Sequence, residues 1–134
     1  MREADLDTLV ERLRECCRAE EAIIAAYLFG SAATGRMREK SDIDVAVLVS
    51  REHEESFPFL EFAASLEGAC NRPVDLVLLN RAGELLKYQV RRHGRLIFET
   101  DSRKRKQFEV LSRKLFEDFL YLHGRYAGKV LYKK

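Results

Sequence analysis

The 134-residue chain lacks any apolar run approaching the 18 or so residues that a membrane span needs. Its start, Met1-Arg2-Glu3-Ala4-Asp5, lacks the apolar core of a secretory leader. These absences predict a soluble, cytoplasmic protein that does not enter a membrane. Cysteine is scarce: Cys16, Cys17 and Cys70 show no metal-ligand spacing, and the adjacent pair reads as helix-face or interior thiols of a reducing compartment. Proline occurs only at 58 and 73, and there is no repeat, low-complexity stretch or linker. One domain over residues 1–134 is therefore expected. The net charge of +2 is too small to argue for nucleic acid by itself.

Two short apolar runs carry the information. Ile23 to Phe29 ends in Gly30-Ser31, and ten residues later Asp42-Ile43-Asp44 opens the run Val45 to Val49. A Gly-Ser turn presents backbone N–H groups that can hold a phosphate. Residues i and i+2 of a strand share a face, about 7 Å apart along the chain, so Asp42 and Asp44 form a carboxylate pair. Phosphate-holding amides beside paired carboxylates are what metal-assisted phosphoryl or nucleotidyl transfer requires. From ordinary residue frequencies this spacing arises by chance on the order of 10⁻³ times per chain of this size. Taken singly, Ser31 is readable as a helix cap and Asp42 as a turn residue. Asp44 and Asp75 are harder to read so, because each sits in an apolar strand where an unpaired carboxylate is costly.

The surrounding periodicities predict alternating helices and strands. Leu6, Leu9, Val10, Leu13, Cys16 and Cys17 recur at helical spacing. Strands are expected at about 23–29 and 43–49, with one helical turn possible over 32–36. Phe59, Leu60, Ala63, Leu66 and Cys70 fit a second helix, with Pro58 near its first turn. Pro73 opens a third strand over 74–79, Asn80 is a candidate cap for a helix over 82–92, and Gly94 a candidate stop. Leu96-Ile97-Phe98 is a short fourth strand. Asp101 is a candidate cap for a last helix, whose apolar positions Phe108, Leu111, Leu115, Phe119 and Leu122 step by three and four.

The motif also constrains topology. Gly30-Ser31 ends one strand and the aspartates begin the next, so both face one ligand only if those strands are antiparallel. Asp75 begins a strand reached through a helix, which predicts a parallel pairing with the second. The fold class expected is α/β (α+β): a mixed four-stranded sheet packed with helices.

Gly30-Ser31-Ala32-Ala33-Thr34-Gly35 followed by Ser41-Asp42-Ile43-Asp44 resembles the signature of the DNA polymerase β-like nucleotidyltransferase superfamily. The short length and the segment Gly94 to Glu99 before a final helix resemble its minimal nucleotidyltransferases, antitoxin partners of helical HEPN toxins. The resemblance implies two Mg²⁺ ions held by Asp42, Asp44 and Asp75, and ATP as donor. It further implies transfer of AMP to a hydroxyl, in the antitoxin branch a tyrosine of the toxin. Asp75 is then the acceptor of the nucleophile's proton, and Gly30, Ser31 and Ser41 belong to the phosphate grip. Where that branch often carries turn arginines this chain has Ala32 and Thr34, so Arg36 and Lys40 are taken as replacements on charge and proximity.

Other readings stay open at this level. They are a binding module that neutralises a partner without turnover, transfer to a small molecule, and modification of an RNA end. The basic runs Arg91 to Arg95 and Arg103 to Lys106 sit at expected helix ends and read as solvated charge or partner contact. His53 and His123 read as surface residues.

Overall fold

The computed structural model describes residues 3–34 and 42–127. Five helices, α1 (Glu3–Arg18), α2 (Ser31–Thr34), α3 (Phe59–Cys70), α4 (Glu84–His93) and α5 (Ser102–Ala127), surround one sheet. Its strands are β1 (Ile23–Phe29), β2 (Ile43–Val49), β3 (Val74–Leu78) and β4 (Arg95–Glu99), in the order β3-β2-β1-β4. β1 pairs antiparallel with β2 and β4, while β2 and β3 run parallel, as the motif required.

The apolar runs of β1 and β2 are continuous rather than alternating because helices cover both faces of the sheet. Leu9, Val10, Leu13 and Cys17 of α1 and Phe62, Leu66 and Cys70 of α3 pack on Ile23, Ala26, Leu28, Val45 and Val47. On the opposite face Val90 of α4 packs on Ile24, Tyr27, Ala46 and Leu48, with Phe108 of α5 against the cluster. Full burial of side chains such as Leu13, Ile23 or Leu66 contributes about 1.5–3 kcal/mol each. Burial pushes the Cys17 thiol up to about 12 and Cys70 to about 11, as expected of structural cysteines.

Several sequence expectations need correction. Asn80 does not cap α4, whose N-cap is Gly83. β3 ends at Leu78, and Leu79–Arg81 form a 3-10 turn that carries Asn80 back to β2. There its Oδ1 accepts from the Val49 N–H and its Nδ2 donates to the Val49 carbonyl, both at 2.9 Å. β2 outruns β3, whose last partner is Val47, so Asn80 supplies the missing ladder contacts.

The apolar steps on α5 also misidentify its packing face. Ser112 and Phe116 are buried, Phe108 and Phe119 half-buried, and Leu111, Leu115 and Leu122 exposed. Phe116 stacks on Tyr88 of α4 at 4.2 Å between ring centres. In the basic first turn of α5, Arg105 is not free in solvent. It donates to Glu99 and at 2.9 Å to Glu109, which accepts at 2.7 Å from the hydroxyl of buried Tyr27. Asp101 caps the helix as expected, its Oδ1 accepting from the Lys104 N–H at 3.0 Å. His53 is half-buried, its Nδ1 2.6 Å from the Ser50 hydroxyl. His123 is exposed, as read from the sequence.

Candidate active site

Sheet topology brings the motif to one place. The antiparallel β1–β2 ladder sets Phe29 opposite Asp44, so the Gly30 turn leaves β1 beside the first residues of β2. The parallel β2–β3 ladder sets Asp44 opposite Asp75. Neighbouring strands lie about 4.8 Å apart, so the two carboxylates stand on adjacent strands at one end of the sheet. Ile43 and Val45 point into the α1–α3 layer, as do Val74 and Leu76. Asp44 and Asp75 alternate with them and share the opposite face.

Gly30 has φ +66, the left-handed region that L side chains disfavour. A Cβ built on it would also fall on Oδ2 of Asp44. The glycine therefore both permits the turn and makes room for the carboxylate. Ser31 follows as the first residue of α2, which is anchored by Ala32 packed in the α1–α3 core. Arg36, Lys40 and Ser41, expected in the phosphate grip, lie outside the described residues.

The site is electrostatically loaded. Asp42 and Asp75 are exposed and Asp44 is half-buried. Burial pushes the Asp44 carboxyl above the usual aspartate range, and the charges of Asp75 and then Asp42 push it the same way. A cation among these oxygens relieves the mutual repulsion, and a hard divalent ion suits an all-oxygen donor set. Among the described residues no three acidic, His or Cys side chains are drawn together tightly enough to hold an ion. The pair Asp44 and Asp75 on adjacent strands nevertheless fits Mg²⁺, which takes one or two carboxylates and completes its shell with substrate phosphates and water.

Sequence reasoning found the carboxylates but not the second role of Gly30. Thirteen residues lie between it and Asp44, and the β1–β2 register brings them together.

Residues 11–103 match the family described as polymerase beta nucleotidyltransferase. The chain belongs to that family. Within it, the chain is similar to the protein adenylyltransferase MntA of Shewanella oneidensis, 38% identical over 74 residues. That stretch is 55% of this chain and 52% of MntA, so the chain spans about half the length of the curated relative it matches. It is also similar to a chain in a crystal structure of a toxin–antitoxin with AMP-PNP. There the identity is 26%, the TM-score 0.76, and the match covers 91% of this chain and 98% of that one. A substituted form of the toxin–antitoxin MntA–HpeT is 26% identical, with TM-score 0.66 and coverage of 93% and 96%. The final helix beyond residue 103 lies outside the family match.

Proposed function

We propose that this nucleotidyltransferase moves AMP from ATP to a hydroxyl of a partner protein, a helical HEPN-type toxin, and so acts as its antitoxin. The observation that carries the reading is the register of Asp44 with Asp75 beside the Gly30 turn. Support for a protein acceptor comes from MntA, named a protein adenylyltransferase, and support for ATP as donor from the toxin–antitoxin structure with AMP-PNP.

In this reading Gly30 and Ser31 orient the triphosphate through backbone N–H groups and the Ser31 hydroxyl. Asp42, Asp44 and Asp75 hold Mg²⁺, which when bound supplies positive charge to the phosphates and acidity to the attacking hydroxyl. Asp75 accepts the proton of that hydroxyl. The oxygen bonds to the α-phosphorus as the bond to the bridging oxygen of the β-phosphate breaks. Pyrophosphate leaves with that electron pair. Arg36, Lys40 and Ser41 complete the grip on the triphosphate.

The test is label transfer from ATP labelled at the α-phosphate to the co-purified partner, with Mg²⁺ present. Asp42→Ala and Asp44→Ala are expected to form the complex yet transfer no label or protection. If both variants still neutralise the partner, the chain works by occlusion and the proposal fails. Label on RNA ends or on a small molecule, with none on protein, contradicts it equally.

A further inference from the structure

Helix α5 is about 39 Å long at 1.5 Å per residue, and only one side of it meets the body of the protein. Ser112 and Phe116 face inward, with Phe108 and Phe119 at the margin. From the flank beside Phe119 round to the outer side, positions stepping by three and four form a second stripe: Val110 and Leu111, then Lys114 and Leu115, then Asp118, then Tyr121 and Leu122. The large apolar side chains of this stripe are exposed, Leu111 by 55% and Leu122 by 63%. Lys114 and Asp118 make no ion pair with another described residue.

The order along the stripe is apolar, cation, leucine, anion, apolar. That order is its own complement when reversed. We propose that this face is a two-fold interface between two copies of the chain, with the α5 helices antiparallel. Val110 and Leu111 of one copy then meet Leu122 and Tyr121 of the other, and Lys114 meets Asp118 twice, once on each side of the axis. Leu115 packs near the axis. A parallel arrangement would set Lys114 on Lys114 and Asp118 on Asp118, so the charges select the antiparallel pairing. A two-fold axis also closes the assembly at two copies, because each copy's stripe is used up by the other.

The test is sedimentation equilibrium of the full chain without any partner. The expected mass is twice the 15.6 kDa of one chain. Leu111→Asp, at an exposed position that leaves the core intact, is expected to yield monomer with an unchanged melting profile. Lys114→Glu alone and Asp118→Lys alone are each expected to weaken the dimer about tenfold or more, and the double exchange to restore it. A wild-type monomer at high concentration overturns the proposal, as does a dimer indifferent to Leu111→Asp or not rescued by the double exchange. A chain that is monomeric alone, but needs Leu111 to hold its partner toxin, also overturns it. In that outcome a different protein covers the face.

Discussion

At Gly30 two demands coincide, a left-handed turn and an open space for the Asp44 carboxylate. Alanine there costs about 1–2 kcal/mol for the backbone conformation alone. The Cβ also displaces Asp44, so Gly30→Ala is expected to lose transfer out of proportion to its fall in melting temperature. Parallel melting and label-transfer assays would show this, and loss of stability with full transfer would contradict it. Asp44 gives the opposite split. Its folded-state pKa lies above the ordinary aspartate value near 3.8, raised by burial, Asp75 and Asp42. Between the ordinary and the raised value the native state binds more protons than the unfolded chain, so stability falls as pH rises through that window. Asp44→Asn is therefore expected to abolish transfer while raising the melting temperature at neutral pH. The gain should vanish at pH values below the ordinary aspartate pKa. A variant less stable than wild type at neutral pH would contradict the electrostatic reading.

At the scale of elements, Asn80 ends the sheet as a side chain standing in for a strand. Asn80→Ala leaves the N–H and carbonyl of Val49 without their partners and is expected to cost about 1–3 kcal/mol. Hydrogen exchange should quicken at the Val49 amide first, and an unchanged rate there would contradict the assignment. This contact was illegible in the sequence because Asn80 follows a strand and precedes a helix, where capping is the ordinary use of asparagine. The last helix misled for a different reason. Phenylalanines line the inward side of α5 and leucines are exposed away from it, so apolar spacing by itself does not choose a face. Tyr27, reached by Glu109, and Phe116, stacked on Tyr88, make that choice. β1 and β2, by contrast, lie where the sequence places them, Ile23–Phe29 and Ile43–Val49 being bounded by the turn and the aspartates themselves. β3 stops one residue short of its expected end, and β4 extends one residue further at each end.

For the whole molecule, the motif constrained the topology as well as the chemistry. A Gly-Ser turn at one strand end and carboxylates at two strand starts meet only on a sheet with one antiparallel and one parallel pairing around β2, and that sheet is observed. No described helix is long and apolar enough to cross a membrane. A sheet that ends in three carboxylates rests on the two helix layers for its stability, and the proposed chemistry sits at its acidic end. Stability and transfer should therefore separate across the protein. Phe116→Ala, in the core between α4 and α5, is expected to cost about 3–5 kcal/mol and lower the melting temperature. At temperatures where that variant remains folded, transfer per folded molecule should be unchanged. Denaturant titration beside label transfer checks this, and a loss of turnover without a loss of stability would contradict it.

The most direct measurement is the intact mass of the partner protein that co-purifies with this chain, before and after incubation with ATP and Mg²⁺. The account predicts increments of whole AMP units on the partner. It predicts none with Asp42→Ala or Asp44→Ala, although the complex still forms. An unmodified partner with the wild-type chain, or equal increments with the aspartate variants, would contradict it.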